Sequence, residues 1–310
     1  MKNKTLLNLI LLIFGMIDLS PAQSDDPIWQ ERVAPIVQGC STLYDKAKAI
    51  FDWETRNIAY DVTMKINTAE EGWTKKKGIC QAYTEIYVSL AKACGLNAEI
   101  INGESKGAAS PDGDGKHAWV KIETEKGWIL ADPTWGAGSV DQNRFTFSYK
   151  SYWFDVDPWW MFFTHYPEKP GNQLLPQPLA RVMYDKLPEM APSMSWWGWN
   201  SEKTLQYYWS NQNQKPPFMF TLKDEWIQNL QVDEVPFFGE LKANYKYLFK
   251  MKSLNDNYVF GIGGTANKNF FGEFSSGMDI VPTSSGTLII SIVDKQTNQV
   301  HDLLEYKVTK

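Results

Sequence analysis

Cysteine and histidine are both scarce in this chain, with three of each among its 310 residues. So few cysteines cannot form a disulfide scaffold, and without CxxC or HExxH patterns a structural zinc site is not expected. Positive charge is not in excess either, because 31 Lys and Arg face 36 Asp and Glu, for a net charge of -5. We therefore expect no nucleic-acid partner, since no basic field would attract phosphate groups.

Long apolar runs are also missing beyond the N-terminus. There, Lys2 and Lys4 precede an apolar stretch over residues 6–17, and small residues lead up to Ala22. This is the three-part pattern of a secretory signal, and the stretch is too short for a comfortable transmembrane helix. We predict a signal peptide over residues 1–22, a secreted or periplasmic location, and no stable membrane insertion after the signal is removed.

Export would place the three cysteines in an oxidising compartment. A Cys40–Cys94 disulfide would leave Cys80 free, although sequence spacing does not establish that the two are close. Cys94 lies on the apolar stripe of a predicted helix and is more simply explained as a small apolar core residue.

Motifs for cofactors and metals are incomplete. Residues 112–115 begin like a calcium loop, yet Lys116 holds the third ligand position and no Glu follows at the required distance. Residues 261–266 match a dinucleotide fingerprint only loosely, and the sequence after them is not typical of a helix. His165 and His301 have no second donor at metal spacing, so they are interpreted as packing or surface histidines. We predict no cofactor and no metal.

Aromatic residues, by contrast, are abundant, with 14 Trp, 14 Tyr and 16 Phe. The clusters at residues 159–160 and 196–199 either line a groove for an extended substrate or pack between domains, and packing is the favoured interpretation. With 43% hydrophobic and 22% charged residues, the composition is that of a soluble globular protein. The length predicts two domains or one large one.

The most regular helical pattern follows Cys80. Apolar residues recur at three- and four-residue steps from Tyr83 to Cys94, and Gly95 supplies a left-handed stop. The pattern predicts a helix that begins at Cys80 and ends near Cys94. A thiol at a helix N-terminus lies at the positive end of the dipole, so its pKa is expected to fall below the free value of about 8.5. Cys80 is therefore the candidate nucleophile.

Strand-like alternation over residues 117–123 and 128–132 predicts a β-hairpin. A turn of two or four residues would place His117 and Asp132 on one face, whereas a three-residue turn would separate them. On one face, the carboxylate accepts from one ring nitrogen while the other nitrogen faces a thiol. This is the arrangement of nucleophile, base and orienting group in a cysteine acyl-transfer site.

The C-terminal third has a different pattern. Short strand-like runs at residues 247–251, 258–262, 287–293 and 303–308 are separated by turn clusters. They predict an antiparallel β-sandwich of the size of an immunoglobulin-like domain. The preceding Pro-, Asn- and Gln-rich segment has no clean period and is interpreted as a linker or a draped interdomain segment.

Four blocks of sequence carry a family resemblance. They are residues 51–61, 78–83, 117–120 and 128–138. In this order and at these spacings, they resemble the core of the transglutaminase-like superfamily. The DPTWGAG ending of the last block, with FTHYP and QLL downstream, resembles the kyphoscoliosis peptidase-like branch more narrowly.

The resemblance covers about residues 40–176 and implies a papain-like α+β core. It implies that Cys80 is the nucleophile, His117 the general base and acid, and Asp132 the orienting carboxylate. An acyl-enzyme is common to active members, and whether water or an amine resolves it stays open. The backbone N–H of Cys80 is expected in the oxyanion hole. Trp53 and Trp73 are candidates for the second donor, although filling core space is the simpler role for either.

The predicted fold is α+β, with a papain-like transglutaminase core followed by an immunoglobulin-like antiparallel β-sandwich. The expected domains are a signal peptide over 1–22, a catalytic domain over 23–176, a linker or draped segment over 177–215 and the sandwich over 216–310. The predicted function is an exported cysteine-dependent acyl-transfer enzyme, foremost a peptidase that acts on protein or peptide amides. The alternatives are a protein-cross-linking transglutaminase and a catalytically inactive binding or scaffold protein.

Overall fold

A computed structural model of the chain describes residues 26–107, 115–220, 229–267 and 269–310. The predicted signal peptide lies outside these ranges, as do residues 112–114 of the loop that begins like a calcium site. Within the described residues, no helix is both long enough and apolar enough to cross a membrane.

Four helices and two short strands form the N-terminal part. They are α1 (Pro27–Val33), α2 (Leu43–Asn57), β1 (Ala59–Tyr60), α3 (Ala69–Lys75), β2 (Lys77–Gly78) and α4 (Cys80–Ala93). The α4 bounds confirm the predicted helix, and Gly95 has the expected positive φ of 82°. Thr42 caps α2 by accepting from the backbone N–H of Asp45 at 3.0 Å, so a polar side chain satisfies a donor that a helix leaves unpaired.

A five-stranded antiparallel sheet covers one side of α4. Its strands are β3 (Ala98–Ser105), β4 (Lys116–Thr124), β5 (Gly127–Ala131), β8 (Phe154–Val156) and β9 (His165–Pro167), in the order β8-β5-β4-β3-β9. The apolar stripe of α4 packs against β3 and β4, and its residues Tyr83, Ile86, Tyr87 and Leu90 have no solvent exposure. Burial of this stripe holds the start of α4 against the sheet.

Short elements connect the strands at the edge of this sheet. They are α5 (Pro133–Ala137), the hairpin β6 (Gly138–Asp141) and β7 (Arg144–Phe147), a 3-10 helix (Ser151–Trp153) and α6 (Pro158–Met161). The backbone of this region is tied back to α5, because Ser148 N–H donates to the Ala137 carbonyl and Lys150 N–H to the Gly136 carbonyl, both at 2.9 Å.

The segment interpreted as a linker contains helices. They are α7 (Arg181–Lys186), a 3-10 helix (Pro192–Trp197) and α8 (Ser201–Ser210). Several of its apolar residues are buried, among them Tyr184, Met194 and Tyr208. The large apolar residues of this segment are irregularly spaced because they pack against two other parts of the chain. The sequence therefore has no amphipathic period here, and no helix was predicted.

The C-terminal part consists of two sheets of mainly antiparallel strands. Its strands are β10 (Phe218–Met219), β11 (Leu230–Glu234), β12 (Glu240–Lys242), β13 (Tyr247–Ser253), β14 (Tyr258–Gly263), β15 (Phe270–Gly272), β16 (Phe274–Ile280), β17 (Gly286–Asp294) and β18 (Val300–Thr309). One sheet has the order β10-β18-β17-β14-β15, with β12 parallel to β18, and the other has the order β11-β13-β16. The four runs predicted as strands correspond to β13, β14, β17 and β18.

Candidate active site

The Cys80 thiol lies at the first residue of α4. Gly78 in β2 allows this tight entry, because a Cβ at Gly78 would lie 2.5 Å from the Cβ of Ala82. The strand β2 pairs in parallel with β1, which places Tyr60 opposite Gly78. Local backbone pairing therefore positions the thiol at the N-terminal end of the helix, where the dipole favours a negative charge.

His117 and Asp132 lie on one face of the β4–β5 hairpin. Glu123 pairs with Trp128 and Thr124 with Gly127, so the turn contains two residues. This register satisfies the condition for a shared face, and the two side chains meet. His117 Nε2 donates to Asp132 Oδ2 at 2.8 Å, and both residues are buried.

Asp132 also ends the strand and caps the helix that follows. Its Oδ1 accepts from the backbone N–H of Trp135 at 3.0 Å, at the start of α5. The capping role and the contact with histidine thus use different oxygens of one carboxylate. Burial opposes the charge of Asp132, but the His117 charge and its N–H hold the pKa of Asp132 well below its usual range.

The Cys80 thiol hydrogen-bonds to His117. Because Nε2 of His117 faces Asp132, Nδ1 is the nitrogen that faces the thiol. Burial raises the pKa of Cys80, but the hydrogen bond and charge of His117 and the Ala118 backbone N–H outweigh it, so the pKa falls below its ordinary value of 9.0. Burial lowers the pKa of His117, but Asp132 and Cys80 raise it to about 10. The three groups therefore favour a thiolate paired with an imidazolium.

His165 is a fourth member of this cluster, and the sequence interpretation missed it. Its Nε2 lies 3.1 Å from Asp132 Oδ2, and its Nδ1 lies 2.8 Å from Thr164 Oγ1. Burial lowers the pKa of His165 to about 4, so the ring is neutral, donates from Nε2 to Asp132 and accepts from the Thr164 hydroxyl at Nδ1. The available signal was its place in the FTHYP block that carries the family resemblance.

Aromatic side chains enclose the His165 ring. The ring centroids of Trp119, Trp135 and Trp153 lie 4.9, 4.7 and 5.5 Å from it. Glycine at position 103 permits this close packing, since a Cβ there would approach the Trp119 ring to 2.6 Å. The indole rings exclude water, which strengthens the hydrogen bonds to Asp132.

The donors around Asp132 form a cluster with metal-ligand chemistry. One ligand atom from each of His117, Asp132 and His165 lies within 4.8 Å of the others. Both imidazole Nε2 atoms already face Asp132 Oδ2, so a metal ion would replace two N–H donors. The hydrogen bonds account for the cluster without such an ion.

A second buried carboxyl, Glu54 of α2, lies near Asp132. It has no solvent exposure, and neither carboxyl oxygen has a hydrogen-bond partner in the described structure. Burial raises the pKa of Glu54 well above its ordinary value, and the charge of Asp132 adds to this effect. Burial therefore favours the neutral form of Glu54, in which it adds no second negative charge near Asp132.

A cleft of about 440 Å³ opens beside His117. Its lining is contributed by β1, by the segment from α5 to the following 3-10 helix, and by residues near Glu189. The lining includes Tyr60, His117, Trp135, Val140, Phe145, Lys150, Tyr152, Trp153 and Glu189. Tyr60 pairs with Gly78, two residues before Cys80, and the charge of Cys80 is the second cause, after burial, of a raised pKa of Tyr60.

Trp53 and Trp73, the candidates for a second oxyanion donor, lie elsewhere. Their rings stack on each other with centroids 4.5 Å apart, and both line a separate cavity with Arg32. Lys76 covers the Trp73 ring at 3.9 Å. The aromatic residue from this part of the chain that lines the His117 cleft is Tyr60.

The other two cysteines are free thiols, so the structure contains no Cys40–Cys94 disulfide. Cys94 is half-buried, and its Sγ donates to the Ala91 carbonyl at 3.2 Å. Burial raises the pKa of Cys94, opposite to the shift at Cys80. Its predicted role as a core-facing helix residue agrees with this position.

Comparison with known proteins gives a family match over the elements that carry Cys80, His117 and Asp132. Residues 30–133 match the model of the transglutaminase-like superfamily. The chain is 28% identical to human kyphoscoliosis peptidase over 168 residues, which is 50% of this chain and 25% of that protein. It is 24% identical to hillarin of Drosophila melanogaster over 194 residues, which is 56% of this chain and 24% of hillarin.

A solved structure described as a TGase shares 20% identity and a TM-score of 0.27, covering 39% of this chain and 32% of that one. The chain thus spans about a quarter of the length of the curated relatives it matches.

Proposed function

We propose that the protein is an exported cysteine peptidase, because residues 30–133 match the transglutaminase-like superfamily and the chain is similar to kyphoscoliosis peptidase. The observation that carries the proposal is the continuous contact from the Cys80 thiol through His117 to Asp132. In this proposal Cys80 is the nucleophile, His117 the general base and acid, and Asp132 the orienting carboxylate.

The proposed reaction begins with attack of the Cys80 thiolate on the carbonyl carbon of a peptide amide. The oxyanion that forms accepts from the backbone N–H of Cys80 at the start of α4. The His117 imidazolium gives its proton to the leaving nitrogen as the carbon–nitrogen bond breaks, which leaves a thioester. His117 then takes a proton from water, the resulting hydroxide attacks the thioester, and the thiolate leaves as the carboxylic acid forms.

We assign His165 a positioning role in this mechanism. Its N–H and that of His117 both point at Asp132 Oδ2, while the Trp135 N–H holds Oδ1. A buried carboxylate with three donors stays ionised and has little freedom to rotate. Asp132 is thereby held in the orientation that keeps the His117 proton on Nε2 and leaves Nδ1 for the thiol.

For the rest of the chain we propose the predicted organisation: a signal peptide over residues 1–22, a catalytic domain over 23–176, a connecting segment over 177–215 and an immunoglobulin-like sandwich over 216–310. The two C-terminal sheets of mainly antiparallel strands support the last assignment, since rings of one sheet contact rings of the other, Phe249 with Tyr306 and Phe260 with Phe274. The proposed substrate is a protein or peptide outside the cytoplasm.

The test combines thiol labelling with a cleavage assay. Iodoacetamide at neutral pH is expected to modify Cys80 faster than Cys40 or Cys94, because the pKa of Cys80 falls below its ordinary value whereas burial raises that of Cys94. A peptide library should be cleaved by the wild type and not by Cys80→Ala.

Each alternative function has its own outcome in this test. Incorporation of an added amine in place of hydrolysis would assign the protein as a cross-linking transglutaminase. Slow, equal labelling of all three thiols without turnover would assign it as a binding or scaffold protein and refute the peptidase.

A further inference from the structure

A lysine ammonium lies on the wall of the His117 cleft. Lys150 follows β7, and its backbone N–H donates to the Gly136 carbonyl at 2.9 Å, while its carbonyl accepts from Trp153 N–H at 3.3 Å. Trp153 in turn accepts from the N–H of Asp132 at 2.9 Å. The position of Lys150 relative to Asp132 is therefore fixed by main-chain hydrogen bonds.

The ammonium group of Lys150 has little to neutralise it. Its hydrogen bond in the described structure is a long one, 3.4 Å from Nζ to the Gly138 carbonyl. Among the described residues, no carboxylate lies within ion-pair distance of it, and burial lowers its pKa while Asp132 partly offsets this. Asp132 itself is already occupied by two imidazoles. A half-buried cation without a paired anion favours an anionic ligand.

Among the described residues that line the cleft, the acidic side chain is Glu189, whose charge acts on a second lysine, Lys106. The Nζ of Lys106 donates to the Leu187 carbonyl at 2.7 Å. Lys106 thus offsets Glu189 on that side. Within the part of the chain that the structure describes, Lys150 is thus a cation of the cleft wall that forms no ion pair.

The described lining of the cleft also includes apolar side chains, among them Val140, Phe145 and Trp153. A carboxylate that enters this part of the cleft would be partly removed from water, where a charge-assisted hydrogen bond is stronger. An amide of the same shape would gain less from the ammonium.

We propose that Lys150 binds a carboxylate of the substrate, so that the enzyme selects peptides with an acidic group close to the scissile amide. The carboxylate is either an Asp or Glu side chain or the C-terminal carboxylate of the peptide. This inference rests on the proposed peptidase function, and Lys150 acts as a specificity-determining residue within it.

The experiment compares peptides that are matched except for charge. In each pair, Glu is replaced by Gln within three residues of the cleaved bond, and a second series replaces the free C-terminus by an amide. The wild type is expected to prefer the acid over the amide on the order of tenfold in kcat/KM, mainly through KM. The series that shows the preference identifies which carboxylate is bound.

Variants of Lys150 then assign the preference to this residue. Lys150→Met should reduce the ratio to about one, Lys150→Arg should keep most of it, and Lys150→Glu should favour peptides with Lys at the same position. Lys46→Met is the matched control, because Lys46 is also half-buried and donates to a backbone carbonyl, that of Cys94, at 3.1 Å. It should leave the ratio unchanged. If Lys150→Met does not fold, the wild-type ratio must still weaken with added salt.

Calorimetric binding to Cys80→Ala separates this inference from the proposed function. Tighter binding of the acid peptide to Cys80→Ala, lost in Cys80→Ala/Lys150→Met, supports the carboxylate site even without turnover. Equal binding of acid and amide peptides refutes it, as does a preference that survives Lys150→Met. A preference for basic peptides in the wild type would refute it too, and would assign recognition to Glu189.

Discussion

Replacing Asp132 by Asn tests the proposed catalytic cluster most directly. If the side-chain oxygen of Asn keeps its bond to the Trp135 N–H, the amide nitrogen takes the place of Oδ2. It then faces Nε2 of His117 and of His165, which lie 2.8 and 3.1 Å from Oδ2. Donors face donors, so His117 moves its proton to Nδ1, which faces the thiol. A ring protonated at Nδ1 cannot accept the thiol proton.

The size of the effect follows from the lost ion pair. Without the imidazolium, the pKa of Cys80 returns to its ordinary 9.0 or above, since burial raises it. A thiol with that pKa is about 1% thiolate at pH 7, so the loss of thiolate alone lowers the rate by at most about a hundredfold. The wrong tautomer adds to this loss, so we expect kcat to fall by a factor on the order of 10² to 10⁴, as for orienting carboxylates in other triads.

The assay measures peptide turnover against pH together with thermal unfolding. For the wild type, kcat/KM should rise through the Cys80 pKa, which lies below 9.0, and fall near about 10, where the His117 imidazolium loses its proton. In Asp132→Asn the fall near 10 should disappear, because no carboxylate holds that proton.

The matched control is Asp157→Asn. Asp157 also caps a short helix that begins with proline, and its Oδ1 accepts from Trp159 N–H at 2.8 Å, but it contacts no histidine in the described structure. It should keep its activity. If Asp132→Asn keeps its turnover and its thermal stability, then Asp132 is only a helix cap and its catalytic role is refuted. If activity falls in proportion to the amount of folded protein, turnover is measured again on the folded fraction.

Three further variants probe the surroundings of the cluster. His165→Phe should lower kcat on the order of tenfold at unchanged KM, because Asp132 loses one of its three hydrogen-bond donors. His165→Gln, which restores an N–H, should recover most of the lost kcat. Equal losses in both variants would contradict the positioning role. Glu54→Gln should become more stable than the wild type as pH rises. The pKa of Glu54 is about 4.5 in the unfolded chain and is raised well above that value in the folded protein. Between these two pKa values, the free energy of unfolding of the wild type should fall by about 1.4 kcal/mol per pH unit. Urea unfolding from about pH 5 to about pH 8 measures the difference in free energy of unfolding between Glu54→Gln and the wild type. A difference that does not grow with pH would show that Glu54 is ionised in the folded protein. Gly103→Ala should cost about 1–3 kcal/mol of stability, since the added Cβ meets the Trp119 ring and the Tyr166 carbonyl, whereas Gly171→Ala, with open space around it, should cost less than about 1 kcal/mol; similar unfolding midpoints for the two would argue against this packing.

The N-terminal core was predictable because its signals are local. The apolar period after Cys80 and the Gly95 stop predicted α4, which runs from Cys80 to Ala93. The short strand-like runs of the C-terminal part likewise predicted four strands of its two sheets. The helices α7 and α8 were not predicted, since their buried apolar residues, such as Tyr184 and Tyr208, follow no regular period in the sequence.

The candidate site also contains features that the sequence predicted and features that it did not. A two-residue turn was one of the lengths that place His117 and Asp132 on a common face, and the structure has that turn. Trp53 and Trp73 were plausible donors by residue type, but they stack on each other away from the cleft. Residue type indicates which chemistry is possible at a position, whereas packing decides which groups meet.

The sequence by itself determined the helix start that carries Cys80, the hairpin that carries His117 and Asp132, and the strand-rich character of the C-terminal part, because periodicity and turn residues act over a few positions. Only the tertiary structure decided that His165 joins them. It lies 33 residues from Asp132 along the chain, and β9 reaches the site by pairing with the far edge of β3. The same holds for the environments of Lys150 and Glu54, since burial and the distance to other charges depend on the whole packed core and not on any local pattern.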